Sequence, residues 1–316
     1  MSSNIEVVKR GVSLGAEIRN VDLSQTLSDD DFQVIHDALL EHQIIKFHDQ
    51  DITSVQQIAF GNRFGELTVH PFSPNASDTP ELIVFDNKEG VKPFFTDVWH
   101  SDETFRAEPP MATMLHSLII PEVGGDTMFA SMTAAFEGLS DRMQNFVSDM
   151  VAVHDFKPFK LLFNQNEEGK DQLRHFEKLY PPILHPVVRV HPETKKKALF
   201  VNPQFTINIK GMKERESRVL LDLLFEQAHV PEYQFRHNWT PNTVVMWDNR
   251  STQHYAVNDY YPQRRNLERV TIKGDRPYGL MPKEELEQST GPGNDEGYTE
   301  MGGHKPLRQF QRDVAE

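Results

Sequence analysis

The N-terminal part of the chain carries apolar residues first at helical spacing and then in a short run. In SDDDFQVIHDALLEH, Phe32, Ile35 and Leu39 recur at helical spacing behind Ser28, a residue type that caps helix N-termini. The next apolar stretch, residues 43–47, is long enough only for a strand. This pattern predicts a capped helix followed by a strand.

The same periodicity predicts two further helices. One begins at Thr53 or Ser54, and the other spans roughly residues 213–229. The first is expected to carry three apolar side chains inward, namely Val55, Ile58 and Ala59. The second is expected to present one apolar face, made of Leu220, Leu223, Leu224 and Ala228.

Short β-type stretches dominate the chain from about residue 67 onward, separated by turns rich in Pro, Gly, Asn and Asp. The stretches are ELIVF, ATMLHSLII, VAVHDF, HPVVRVH, ALFVN, NTVVMW and RVTIK. Such a series predicts a β-sandwich or barrel with helical additions. The expected fold class is therefore mainly β with flanking helices.

Length and composition favour one large domain. The 316 residues include 38% hydrophobic and 25% charged residues, an ordinary globular composition. We expect this domain over residues 1–282 and a polar, weakly ordered tail over residues 283–316. Within the domain, residues 156–182 form an insertion between two strands, which is either an active-site lid or a plain surface excursion.

Charge and residue usage exclude several classes of function. A formal net charge of −14 opposes binding to a phosphate backbone, so no nucleic-acid partner is expected. The absence of cysteine rules out disulfides, thiolate zinc sites and iron–sulfur clusters. No apolar run approaches the length of a membrane span, and the N-terminus lacks the apolar core of a secretory signal. We therefore expect a cytoplasmic protein without a membrane partner.

Candidate chemistry begins with His100 and Asp102 in WHSDETF and with His254 in MWDNRSTQHYAVNDY. In an extended segment, residues i and i+2 point to the same side, so His100 and Asp102 can face one metal ion. Two histidines and one carboxylate suit Fe(II), Mn(II) or Co(II) and leave coordination positions open for chemistry. The bare pattern is weak, because 14 histidines give a His-x-Asp match by chance roughly once. A structural hydrogen-bonded pair is the alternative.

Two arginines follow the distal histidine. In RRNLERVTIK, strand alternation places Arg265, Leu267, Arg269 and Thr271 on one face. Buried arginines need anionic partners, and a planar fork beside a metal suits the far carboxylate of a bound keto acid. Arg265 is the candidate for that role. Salt bridges to the protein's own acidic residues are the alternative for both arginines.

At these residues the chain resembles the taurine/2-oxoglutarate dioxygenase family, which includes alkylsulfatases and aryloxyalkanoate dioxygenases. The similarity runs from about Val8 to Tyr278 and is dense in three blocks: WHSDETF, GGDTMFASMTAAFEGL and MWDNRSTQHYAVNDYYPQRRNLERVTIKGDRP. By this resemblance the fold is a double-stranded β-helix, a jelly-roll barrel with flanking helices. A homo-oligomer is also expected, since the family is usually oligomeric.

The resemblance also implies the cofactors and the residues that bind them. His100, Asp102 and His254 are expected to hold Fe(II). The co-substrate 2-oxoglutarate is expected to chelate the metal through its keto and C1 carboxylate oxygens, and O2 is consumed with it. Thr127 and Arg265 match the family positions that bind the C5 carboxylate of 2-oxoglutarate.

The substrate pocket is implied in the same way. His70 and Arg269 match the positions that grip a sulfonate or sulfate in the taurine dioxygenase and alkylsulfatase branch, and Phe205 matches an aromatic lining residue. Two departures make the pocket wider or more polar: Ser73 stands where an aromatic residue is expected, and Glu103 where an apolar one is expected. Glu103 either pairs with a hydroxyl or ammonium group of the substrate or points to solvent.

The predicted reaction hydroxylates the carbon that bears a sulfonate or sulfate ester and releases sulfite or sulfate plus an aldehyde. Succinate and CO2 form from 2-oxoglutarate at the same time. A second interpretation keeps the cofactors but takes a small anionic carboxylate, phosphonate or aryloxyalkanoate, since His70 and Arg269 bind those anions too. A third is a non-catalytic barrel that senses or stores a small acid, although such a protein has no need of the complete ligand set.

Overall fold

A computed structural model describes residues 4–70, 78–92, 97–156, 160 and 167–280. The tail predicted over residues 283–316 lies outside the described residues. So do Ser73 and a part of the predicted lid, residues 157–159 and 161–166.

Strands outnumber helices in the described part of the chain. The strands are β1 (Glu6–Lys9), β2 (Ala16–Arg19), β3 (Ile44–Phe47), β4 (Ile83–Asn87), β5 (Ala112–Ile119), β6 (Thr127–Ser131), β7 (Val151–His154), β8 (Ile183–Pro186), β9 (Val188–Val190), β10 (Lys197–Leu199), β11 (Thr206–Ile209), β12 (Gln234–His237), β13 (Val244–Asp248), β14 (Thr252–Ala256) and β15 (Arg265–Ile272). The helices are α1 (Asp29–His42), α2 (Ser54–Asn62), α3 (Met132–Glu137), α4 (Asp141–Val147), α5 (Glu167–Leu179) and α6 (Glu214–Phe225).

Two sheets form the centre of the fold. One has the strand order β1-β2-β3-β13-β5-β15-β4, and the other has the order β12-β6-β14. Two further sheets have the strand orders β11-β7-β8 and β10-β9. Every strand pair is antiparallel except β2 with β3 among the described strands. Antiparallel pairing leaves each sheet with two faces that can pack against different layers.

The core lies in layers on both faces of the large sheet. Between the two central sheets, the ring of Phe129 on β6 lies 5.4 Å from that of Trp247 on β13, and Leu267 of β15 joins the same cluster. On the outer face, α1 and α2 bury Leu39 and Phe60 against the sheet. This arrangement confirms the predicted mainly β class with flanking helices.

Helix α1 begins as the sequence predicts. The Ser28 hydroxyl accepts a hydrogen bond from the backbone N–H of Asp31 at 3.1 Å, which satisfies one of the free donors of the first turn. The same mechanism operates at α2, where Thr53 forms a capping box with Gln56. Among the described helices, none combines the length and the apolar character that a membrane crossing requires.

The inward face of α2 differs from the prediction. Val55 is 69% exposed and Ala59 is exposed, whereas Gln57 and Phe60 are buried. Gln57 turns inward because its Nε2 donates to the backbone oxygen of Glu268 on β15 at 3.1 Å. The predicted apolar face of α6 was wrong at one position. Leu223 is 41% exposed, whereas Leu220, Leu224 and Ala228 are buried.

Candidate metal centre

His100, Asp102 and His254 come together although their segments are far apart in sequence. Each offers one ligand atom, and these atoms lie within 4.8 Å of one another. The Nε2 atoms of both histidines are 3.9 Å from Oδ1 of Asp102, which is too long for a hydrogen bond. Two imidazole nitrogens and one carboxylate oxygen thus face the same small space.

Backbone pairing fixes the two histidines relative to each other. The N–H of His100 donates to the carbonyl of His254 at 3.1 Å, and the N–H of His254 donates back at 2.8 Å. Their ring centroids are 4.1 Å apart. Because β14 carries His254 and pairs with β6 inside the second sheet, the position of both rings follows from the sheet.

The segment after His100 is a turn and not the extended chain expected from the sequence, in which residues i and i+2 point to the same side. Residues 102–105 form this turn, and Glu103 has φ 49°, in the left-handed region. The hydroxyl of Ser101 donates to the carbonyl of Thr252 at 2.6 Å, so Ser101 faces away from the metal site as expected. The turn nevertheless directs Asp102 toward both imidazoles.

Two side chains contact the Asp102 carboxylate, and a third supports one of them. Thr113 donates to Oδ2 at 2.6 Å, Arg269 Nη2 lies 3.2 Å from Oδ1, and Asn249 Nδ2 donates to the Thr113 hydroxyl at 2.9 Å. Burial alone would favour the neutral acid. The charge of Arg269 and the Thr113 hydrogen bond outweigh burial and hold the pKa of Asp102 well below its usual range. Asp102 is therefore a carboxylate at neutral pH.

Both imidazoles are set up as neutral ligands. His100 Nδ1 lies 2.7 Å from the carbonyl of Val98, so its N–H points there and leaves Nε2 with a free lone pair. Burial lowers the pKa of His100, and burial followed by the neighbouring His100 lowers the pKa of His254 to about 3. Two neutral nitrogens and one carboxylate on one side of a cation are the donor set that fits Fe(II) with open positions.

Arg265 lies in a separate pocket on β15. Its Nε donates to the carbonyl of Gly125 at 3.2 Å, and its guanidinium lies 5.8 Å from the ring centroids of Trp239 and Tyr260. Trp239 in turn donates to the Thr127 hydroxyl at 3.0 Å, which places Thr127 at the same pocket. Among the described residues, no acidic side chain forms a salt bridge with Arg265. Burial lowers the pKa of Arg265 to about 10, so it remains a cation at neutral pH.

Arg269 lies nearer the metal site and does pair with the protein's own acids. Its Nη2 is 3.2 Å from Asp102 and 3.3 Å from Oε1 of Glu103. The alternative of an internal salt bridge thus applies to Arg269. Glu103 is 2% exposed, so the suggestion that it points to solvent was wrong. His70 Nε2 lies 3.8 Å from the same Oε1, which joins three of the four expected substrate residues, His70, Arg269 and Glu103, in one cluster.

Phe205 lies beside the metal ligands, as an aromatic pocket residue should. Its ring is 6.3 Å from that of His100, edge to face, and 5.4 Å from that of Phe105. The same buried cluster includes Phe156, Phe176 and Tyr180. Helix α5, part of the predicted lid, therefore contributes to an apolar wall near the metal site. Its movement as a lid stays a prediction.

The sequence profile of the taurine catabolism dioxygenase TauD, TfdA family matches residues 6–271. The chain belongs to this family. It is 39% identical to an alkylsulfatase of Acinetobacter baylyi over 267 residues, which cover 83% of each protein. It is 34% identical to an alpha-ketoglutarate-dependent sulfate ester dioxygenase of Pseudomonas putida over 274 residues, 84% of this chain and 89% of the relative.

Solved structures extend the comparison to the fold. A taurine dioxygenase from Burkholderia xenovorans superposes with a TM-score of 0.76 at 34% identity, covering 88% of this chain and 92% of that one. The shared fold confirms the predicted jelly-roll architecture.

Several residues of this TauD, TfdA family site were not predicted from the sequence. They are Arg106, which pairs with Glu103; Thr113 and Asn249, which support Asp102; and Trp239, which lies beside Arg265. Thr113 lies opposite Trp247 only because β5 pairs with β13 in that register. No local pattern indicates such a contact. Arg106 is the exception, because its position directly after WHSDETF is visible in the sequence. In the structure it is 1% exposed.

Proposed function

We propose that this protein is an Fe(II)- and 2-oxoglutarate-dependent dioxygenase that hydroxylates the carbon bearing a sulfate ester or a sulfonate. For a sulfate ester, one O2 and one 2-oxoglutarate are consumed. One oxygen atom enters succinate as CO2 leaves, and the other enters the C–H bond. The resulting hydroxy ester breaks its C–O bond to the sulfate, which gives an aldehyde, sulfate and a proton.

One observation carries the cofactor assignment: Trp247 beside His254 and Trp239 beside Arg265 belong to one buried cluster. This cluster connects the triad of candidate metal ligands to a buried cation that has no salt bridge among the described residues. A divalent metal and a dicarboxylate together supply what these two places need. When bound, Fe(II) supplies the oxygen chemistry that side chains cannot perform.

The chain's own groups bind and orient the reactants. Arg265 and the hydroxyl of Thr127 are assigned to the C5 carboxylate of 2-oxoglutarate, where the guanidinium can form a bidentate pair. Arg269 and His70 are assigned to the head group of the substrate. Phe205 and the aromatic cluster around it exclude water from the target C–H bond, which protects the reaction from side paths.

The substrate class is supported by two findings. The alkylsulfatase and the sulfate ester dioxygenase named above are relatives over most of their length. The expected head-group residues lie in a buried cluster where the guanidinium of Arg269, next to the Arg106–Glu103 pair, can contact an anion. A carboxylate, phosphonate or aryloxyalkanoate substrate with the same cofactors is the alternative that the experiment must separate.

The test is a panel of alkyl sulfates, alkyl sulfonates, alkyl phosphonates and aryloxyacetates, incubated with Fe(II), 2-oxoglutarate and O2. Succinate and free sulfate or sulfite are measured together. We expect succinate and sulfate in equal amounts from an alkyl sulfate, and neither from the His254→Ala variant.

The other outcomes would assign the protein to another substrate class or to a non-catalytic function. Succinate formation with aryloxyacetates or phosphonates alone, without release of sulfate or sulfite from any compound, contradicts the proposed substrate class. No succinate with any substrate, combined with metal-independent binding of 2-oxoglutarate, indicates a sensor or storage protein.

A further inference from the structure

Glu103 places a buried carboxylate inside the cluster assigned to the substrate head group. Its Oε1 is 3.3 Å from Nη2 of Arg269 and 3.8 Å from Nε2 of His70, and its Oε2 is 2.6 Å from Nε of Arg106. All four side chains are buried. An internal anion thus lies among the cations that a bound sulfate or sulfonate would contact.

The carboxylate is fixed in this position by its surroundings. Arg106 is 1% exposed, and its Nη2 also donates to the carbonyl of Val69, next to His70, at 2.9 Å. Glu103 itself has a φ of 49°, which a side-chain-bearing residue adopts only when its contacts stabilise it. Moving the carboxylate away would leave two buried guanidiniums with less counter-charge, and that is costly.

Glu103 already places one negative charge beside Arg106 and Arg269, so each negative charge on a ligand here meets repulsion from a fixed carboxylate. Arg106 and Arg269 contribute two positive charges and Glu103 removes one. Burial lowers the pKa of His70 to about 4, so His70 is neutral at physiological pH and can only donate or accept a hydrogen bond. Asp102 also contacts Arg269, but its carboxylate faces the metal site and belongs to the charge balance there.

The guanidinium of Arg269 still has a donor for a ligand. Its Nε donates to Thr271 at 3.0 Å and its Nη2 serves both carboxylates. Among the described residues, no acceptor is assigned to Nη1. A monoanion that reaches Nη1 and His70 adds one negative charge close to Glu103, whereas a dianion adds two, and the repulsion in this buried site is correspondingly larger.

We propose that Glu103 is a specificity-determining residue that restricts this subsite to monoanionic head groups, sulfate esters and sulfonates, and rejects the dianions of phosphate esters and phosphonates. This inference rests on the proposed function, because it assumes that His70 and Arg269 contact the substrate. It assigns Glu103 no part in the oxidation itself.

The experiment compares n-hexyl sulfate with n-hexyl phosphate at pH 8, where the phosphate ester is a dianion because its second pKa is about 6. Dissociation constants are measured anaerobically on the full chain with Fe(II) and 2-oxoglutarate, and kcat/KM is measured as succinate formation in air. The wild-type protein should bind the sulfate more tightly. In the Glu103→Gln variant, which removes the charge at nearly constant shape, the preference should narrow by about tenfold or more, mainly because the phosphate binds better.

Two matched variants separate charge from disruption. Glu103→Asp keeps the carboxylate and should keep the preference for sulfate. Glu268→Gln is the same chemical change on the same strand as Arg269, but Glu268 contacts Ser54 of α2 instead of the pocket, so the preference should stay at the wild-type value. Circular dichroism of each variant verifies the fold.

The possible failures are distinguishable. An unchanged preference in Glu103→Gln, or an equal change in Glu103→Asp, overturns the role of Glu103 while the oxidation of sulfate esters stands. If hexyl sulfate binds but no member of the sulfate and sulfonate panel is oxidised, the proposed function fails, and the binding ratios still decide the role of Glu103. If neither ester binds, both proposals fail.

Discussion

At the scale of single residues, the metal site depends on side chains that contact Asp102 and never reach the metal. Thr113 and Asn249 form a chain of hydrogen bonds that ends on the carboxylate oxygen facing away from the imidazoles. Partners of this kind set the orientation of a metal ligand, and their loss commonly weakens metal binding by about 10- to 100-fold.

Replacing Thr113 tests this arrangement. Thr113→Val keeps the shape of the side chain but removes the hydroxyl that donates to Asp102, so the dissociation constant for Fe(II), measured by anaerobic titration, should rise about 10- to 100-fold. Thr113→Ser retains the hydroxyl and should bind Fe(II) nearly as the wild type does. Equal affinities in all three proteins would show that this hydrogen bond has no role in metal binding.

Arg265 and its sequence neighbour Arg264 form a matched pair for a second prediction. Arg265→Ala removes a buried cation with no internal salt bridge among the described residues, and the KM for 2-oxoglutarate should rise roughly 100-fold, the worth of a bidentate charge-assisted contact. Arg264 pairs with Asp86 at the surface, at 2.9 Å, so Arg264→Ala should leave this KM unchanged. A similar rise in both variants would indicate a general loss of structure.

Features of the site that depend on one segment of the sequence could be predicted, whereas contacts between distant segments could not. Strand alternation placed Arg265 and Arg269 on one face correctly, because period two is a local property of β15. The pairing of Arg269 with Glu103 could not be foreseen. It depends on a left-handed residue inside a turn and on two segments that are distant in sequence.

At the scale of elements, the ends of helices were easier to predict than their buried faces. The capping residues of α1 and α2 act through bonds to their own first turns, so the sequence alone specifies them. The buried face of α2 is chosen by β15 beneath it, where the carbonyl of Glu268 accepts from Gln57. Periodicity over a short helix does not contain that information.

The orientation of α2 can be measured directly. Phe60→Ala should lower the free energy of unfolding by about 3–5 kcal/mol, because Phe60 is buried against Phe47 at a ring distance of 5.8 Å. Val55→Ala should change it by about 0.5 kcal/mol or less, since Val55 is exposed. Urea denaturation gives both values. A larger loss in Val55→Ala than in Phe60→Ala would mean that the helix is rotated toward the face expected from sequence.

At the scale of the whole molecule, buried histidines link stability to pH. Burial lowers the pKa of His70 to about 4 and the pKa values of His185 and His237 to about 3. All three are below the unfolded value of about 6.5, so the unfolded chain binds more protons as the solution is acidified. Their contribution is complete above pH 6.5 and is lost as the pH falls through the folded pKa values, about 4 for His70 and about 3 for His185 and His237.

The expected result is a free energy of unfolding that decreases below pH 6.5, with each histidine contributing up to about 1.4 kcal/mol per pH unit. Urea denaturation at pH 7.5, 6.5 and 5.5 measures the slope. The His237→Gln variant should show a shallower slope by one histidine's share. A flat profile between pH 6.5 and 5.5 would contradict neutral, buried histidines.

Sequence patterns predicted individual strands of the molecule but not the order of those strands in the sheets. The β-type stretches from residue 67 onward were found as strands, because each is defined by its own residues. Their order was not accessible. β13 lies between β3 and β5, and β15 lies between β5 and β4, through pairings across most of the chain. Only the resemblance to a known family carried that information.

The reciprocal amide contacts between residues 100 and 254 have a consequence for how the protein acquires its metal. The spacing of the two rings follows from this backbone bridge, so we expect the two histidines to keep their positions without an ion. Metal uptake then requires no chain rearrangement, and chelation should leave the fold in place and reversible.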